Sequence, residues 1–137
     1  MVSKSSVQEL ARVILNQSAE AESLAEFAEA GLSAIRQWLS PAAVQIVRGN
    51  KGIWRIIARV GDRGTAPDSL LAEALDRGAL YSEGRWVTVP VSAKRGELLV
   101  AQFVGPPDGD DLEGCREAAA IFAAGLSAVR QREEQAR

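Results

Sequence analysis

Apolar positions recur at helical spacing near both ends of the chain and at strand spacing through its middle. Val7, Leu10, Ala11 and Ile14 fit the i, i+3, i+4, i+7 template behind Ser6-Val7-Gln8-Glu9, a capping-box pattern, and predict a leading helix within residues 1–18. Val13 and Leu15 fall off that stripe, so the helix is apolar on more than one side. The polar run Asn16-Gln17-Ser18 interrupts it, and a second helix follows to about Leu39, opening on Glu20 and Glu22 and stopped by Ser40-Pro41. Leu24, Phe27, Ala28, Leu32, Ile35 and Leu39 form its apolar face. Strands are predicted at 43–48 and 53–60, joined by the turn Gly49-Asn50-Lys51-Gly52. Asp68 to Arg77 reads as a helix with Leu70, Leu71, Ala74 and Leu75 inward and Gly78 as its stop. A short strand around Leu80-Tyr81-Ser82 precedes a second hairpin, 85–92 and 97–104, which turns at Ala93-Lys94-Arg95-Gly96. The last helix opens on the acidic run Asp110 to Glu113. Leu112, Cys115, Ala119, Phe122, Leu126 and Val129 then form a 3-4 seam.

Successive hairpins imply antiparallel pairing, and helices gathered at the ends imply a two-layer α+β fold. The expectation is an antiparallel sheet of about five strands with the N- and C-terminal helices on one face, all within a single domain of residues 1–137. Residues 130–137 keep helical propensity but lose the apolar stripe, and read as a trailing helix or linker.

Composition narrows the chemistry. The 137 residues include no His and a single Cys, Cys115. Ser-His-Asp and Cys-His catalysis, His-held zinc or haem, and an intramolecular disulfide are therefore excluded, and no metal or cofactor is expected. Cys115 sits on the seam, where a thiol behaves as a small buried hydrophobe. The acidic cluster Asp108, Asp110 and Asp111 is accounted for by helix capping. No apolar run approaches the ~20 residues that span a membrane, and the start MVSKSSVQEL lacks a signal-peptide core, so a cytoplasmic chain without membrane contact is expected. The net charge of −2 conceals a division. Residues 1–40 carry three basic and five acidic side chains, 41–104 nine and six, and 105–137 four and seven. The basic series Arg48, Lys51, Arg55, Arg59 and Arg63 has no aromatic platforms or Gly-rich RNA signature beside it. It reads as protection of a strand edge, and no nucleic-acid partner is expected.

Three segments together resemble a GAF domain. They are AAVQIVRGNKGIWRIIARVG (42–61), VTVPVSAKRGELLVAQFVG (87–105) and the acidic entry and helix DGDDLEGCREAAAIFAAGLSAVRQREEQ (108–135). The resemblance implies a regulatory or sensory domain of a bacterial signal-transduction protein, with an output domain or a separate protein as its partner. The family's bilin-binding and methionine-sulfoxide-reducing branches need cysteines that this chain lacks. The short stretch between Gly78 and Trp86 leaves little room for the helix that roofs a deep pocket in many members.

Strand alternation puts Trp54, Ile56, Ala58 and Val60 on one face of the second strand, expected to be the helix-packed one. Gln45, Arg55, Arg59, Trp86, Thr88 and Gln102 then share the other face. The resemblance makes that face the ligand side, and the mixture suits a small anionic or amide-bearing ligand. A plain solvated sheet face would carry the same pattern. Val7, Leu10, Val13 and Ile14 with Leu126 and Val129 are candidates for a homodimer interface through the terminal helices. Packing of those helices within one chain fits the same residues. A second architecture, a roadblock- or profilin-like interaction module without a small ligand, has a related order of elements.

Overall fold

The structure, a computed structural model, describes residues 4–62 and 64–136. In chain order its elements are α1 (Lys4–Glu20), α2 (Leu24–Leu39), β1 (Ala43–Asn50), β2 (Ile53–Gly61), α3 (Asp68–Arg77), β3 (Tyr81–Glu83), β4 (Trp86–Ser92), β5 (Glu97–Gln102) and α4 (Gly109–Gln135). The five strands form one antiparallel sheet in the order β2-β1-β5-β4-β3. Arg63 and Arg137, which the sequence placed in the basic series and in the trailing helix, lie outside the described residues.

Helices α2 and α4 pack on one face of the sheet, and α1 packs against both of them. Phe27, Leu32, Ile35, Phe122 and Val129 meet Val44, Ile46, Val87, Leu99 and Ala101 there, at the centre of the main core. The seam of α4 is the clearest success of helical periodicity: Cys115, Ala119, Phe122, Leu126 and Val129 are all buried. Asp108 and Asp111 cap α4 reciprocally, each backbone amide donating to the other's carboxylate at 2.8 and 3.0 Å.

Five expectations are corrected. Asn16-Gln17-Ser18 does not end the first helix, because the Ser18 hydroxyl donates back to the Leu15 carbonyl at 2.7 Å and the polar run stays helical. The break falls at residues 21–23 instead. Ser23 accepts from the Glu26 amide to start α2, and Glu20 closes α1 rather than opening α2. Ser6 lies within α1, not at its cap, and its hydroxyl accepts from Trp38 Nε1 at 2.8 Å, joining α1 to α2.

The two-layer expectation omits α3. This helix lies on the opposite face of the sheet, where Leu70, Leu71 and Ala74 pack with Val47, Leu98 and Val100 in a second, smaller core. Gly78 ends α3 in the left-handed region (φ 64°), which glycine adopts without strain.

The proposed dimer stripe is largely interior. Leu10, Ile14, Leu126 and Val129 are buried within the main core of one chain, so they offer no surface to a second copy. Val7 and Val13 are half-buried, and Leu15 is 55% exposed.

Candidate functional site

The sheet face beneath α3 is where five of the six candidate ligand residues meet. Pairing places Gln45 opposite both Arg59 and Val100, Thr88 opposite Val100, and Trp86 opposite Gln102. Arg55 does not join them. The register between β1 and β2 shifts by one, from Ile46 opposite Ala58 to Val47 opposite Ile56, so Ile57 is an extra residue on β2. Beyond that bulge the alternation inverts. Ala58 and Val60 pack with the main core, whereas Trp54 packs with the α3-side core. Arg55 comes opposite Arg48, on the helix-covered side, so the expected Arg55/Arg59 pair is divided between the two faces.

Two of the five polar groups already have structural work. Gln45 is buried and its Nε2 donates to the Gly64 carbonyl at 2.7 Å, which holds the segment leading into α3 against the sheet. Thr88 is buried and its hydroxyl donates to the Tyr81 carbonyl at 2.8 Å, which fixes β3. The centre of the face is filled by Leu70, Leu71 and Ala74. Arg59, Trp86 and Gln102 stand at its margin. Arg59 is exposed, and the Oε1 of Gln102 is buried without a hydrogen-bond partner among the described residues.

A second polar constellation was missed by sequence reasoning. Glu97, 1% exposed at the start of β5, receives Arg130 of α4 as a two-bond clamp at 2.8 and 2.6 Å. It also accepts from Arg48 of β1 at 2.6 and 3.2 Å. Burial alone would raise its carboxyl pKa, but the bonds and charges of Arg130 and Arg48 outweigh that and hold it below the usual carboxylate range. The signal for this cluster was present: Arg130 follows Leu126 by four residues, so the seam of α4 carries on to a cation.

The next residues of α4 are tied as well. Arg132 donates to the carbonyls of Ser18 and Ala21 at 2.7 and 2.6 Å, where α1 ends. A cation there complements the negative end of the α1 dipole. Glu133 accepts from the Leu24 amide at 2.9 Å, where α2 begins. A cavity of ≈ 230 Å³ opens beside these ties, lined by Leu24, Arg48, Arg95, Arg130, Glu133 and Glu134.

Cys115 is buried, and its surroundings push the thiol up to about 12, first through burial and then through the Asp111 carboxylate. At neutral pH it is a protonated thiol with no nucleophilic character. Among the described residues no group of His, Cys, Asp and Glu could hold a metal ion, and no helix is long and apolar enough to cross a membrane.

No family model matches the chain, and no curated protein matches it. Solved structures do. The GAF domain of a phosphoenolpyruvate-protein phosphotransferase from Coxiella burnetii superposes with a TM-score of 0.71 at 12% identity, over 96% of this chain and 99% of that one. The free methionine-R-sulfoxide reductase of Neisseria meningitidis, solved with its substrate, superposes at 0.75 and 14%, over 96% of each chain. The GAF domain of a putative sensor histidine kinase from Pseudomonas syringae pv. tomato does so at 0.64 and 15%, over 96% and 94%. The fold of this chain is the α+β fold of GAF domains.

Proposed function

We propose, with the GAF fold as premise, that this chain is a non-catalytic regulatory domain of a bacterial signal-transduction protein. It acts in the cytoplasm as a dimer and passes its state to an output domain or partner protein through α4. The observation that carries this reading is the set of ties on residues 130–133. They join the end of α4 to the sheet through Glu97, to the end of α1 and to the start of α2. A change at the sheet or at the α1–α2 junction therefore reaches the C-terminal turns of α4, which is the coupling a regulatory domain needs. The Neisseria structure belongs to an enzyme, but the sole cysteine here is a buried thiol, and that supports a non-catalytic role.

Any small ligand would meet Arg59, Trp86 and Gln102 at the margin of the α3 face, since Gln45 and Thr88 hold the fold. The dimer contact moves from the buried stripe to what α1 leaves at the surface. That comprises exposed Leu15 and a groove of ≈ 200 Å³ bordered by Glu9, Val13, Ala34, Gln37 and Trp38.

Arg132→Ala tests the coupling. Hydrogen exchange is expected to quicken in the last turn of α1 and the first turn of α2 as well as in α4. Quickening confined to the end of α4 would remove the basis of the proposal. Leu15→Glu tests the dimer: light scattering at micromolar concentration should fall from dimer to monomer. The unfolding midpoint should scarcely move, because an exposed substitution costs at most about 0.5 kcal/mol. A wild-type chain that stays monomeric on concentration overturns this part.

A further inference from the structure

The two edges of the sheet differ in kind. The β3 edge is three residues long and has α3 against it. The β2 edge is nine residues long; α2 packs on its main-core face, and among the described residues β1 is its sole strand neighbour. Alternate backbone amides and carbonyls along its outer side are therefore unpaired by the sheet, which is a template for an added strand. Its side chains do not read simply as a blocked edge. Ile53 is 69% exposed and Ile56 44% exposed, both β-branched and apolar. Arg55 and Arg59 are exposed, and neither has an ion-pair partner among the described residues. From Ala42 to Gly61 the chain has four basic residues and no carboxylate.

We propose that the β2 edge binds an acidic, extended peptide segment of a partner protein as an added strand. Backbone pairing would supply the attachment and the exposed isoleucines an apolar contact, while Arg55 and Arg59 select the sign of charge. A second copy of this chain fits poorly. A β2–β2 pair would bring Arg55 and Arg59 of both copies to one seam, with no carboxylate on either strand to offset them.

The bulge makes the selection more specific. It turns Arg55 and Arg59 to opposite faces, and on β1 the residues opposite them, Arg48 and Gln45, lie three apart. An unbulged added strand alternates faces every residue, so its carboxylates must also stand an odd number apart to reach both guanidiniums. Three is the spacing β1 already shows.

The probe is a blocked octapeptide of valines and threonines carrying two glutamates three positions apart, titrated into the full chain and followed by backbone amide shifts. Shifts are expected along β2, with a Kd that weakens at least tenfold in the Arg55→Glu/Arg59→Glu double variant. Circular dichroism of that variant should match the wild type. A peptide with the glutamates two apart should bind several-fold more weakly, and one with lysines in their place should not bind. Methylating alternate peptide nitrogens, which removes the ladder donors, should abolish binding. Equal binding of the lysine or the N-methylated peptide overturns the proposal. So does unchanged binding to the double variant, or shifts along β2 from a single-stranded oligonucleotide with none from the peptide.

Discussion

Glu97→Gln is expected to destabilise the fold by about 3 kcal/mol at neutral pH, the lower end of the range for breaking a buried ion pair by removing one partner. The variant keeps the shape of the side chain and removes its charge. Arg130, 14% exposed, is left clamped beside Arg48 with no counter-charge. Arg48 is 37% exposed and can turn to solvent, so it adds little, and the cost falls on Arg130. The effect should depend on pH in one direction. The folded pKa of Glu97 lies below its unfolded value of roughly 4.3, so its stabilisation is fully present above that value. It is lost as pH falls through the folded pKa. Urea midpoints of wild type and variant should therefore be far apart at neutral pH and draw together in acid. A gap that persists unchanged into acid would show that the charge is not the cause. Replacing both partners, as Glu97→Leu with Arg130→Met, should recover most of the loss, because no buried charge is then left unpaired.

The same residues show why parts of the site were legible and parts were not. A helical stripe says that a face is buried, not by what. Leu10, Ile14, Leu126 and Val129 fit a dimer seam and a monomer core equally well, and the packing of α1, α2 and α4 decides for the core. Alternation along β2 failed for a different reason. It assumes period two, and the extra residue Ile57 is as β-branched and apolar as Ile56 before it, so nothing in the run marks the bulge that sends Arg55 to the other face. The amphipathic pattern of α3 found its buried residues, Leu70, Leu71 and Ala74, but carried no instruction about which sheet face they would cover. Glu97 escaped because a lone acid before Leu98, Leu99 and Val100 reads as the rim of a strand. Its partners lie far off in sequence, at Arg48 and Arg130.

Phe27→Ala is expected to cost about 4 kcal/mol, with part of that loss recovered by a second substitution that brings no gain alone. Phe27 is wholly buried, and its ring stacks on Phe122 with centroids 5.4 Å apart. Removing such a ring forfeits its transfer free energy and leaves a cavity. The stack also explains two glycines in mid-helix, where glycine costs about 1 kcal/mol against alanine. A Cβ on Gly31 would lie 2.7 Å from Phe122 Cε1. A Cβ on Gly125 would fall on Phe27 Cζ, with Ile14 Cγ2 at 3.2 Å. The glycines let α1, α2 and α4 approach closely enough for the rings to pack. Gly125→Ala alone therefore exchanges a propensity gain of about 1 kcal/mol for an overpacking cost of about 1–3 kcal/mol, and should be neutral to destabilising. With Phe27 already alanine the ring is gone, and Ile14 Cγ2 at 3.2 Å has the vacated space to shift into. The methyl at 125 then fills part of the vacated space and the propensity gain stands. The double variant should exceed the stability expected from adding the two single losses by at least about 1 kcal/mol, read from denaturation of the four proteins of the cycle. Additivity within about 0.5 kcal/mol would show that ring contact is not what requires glycine at position 125.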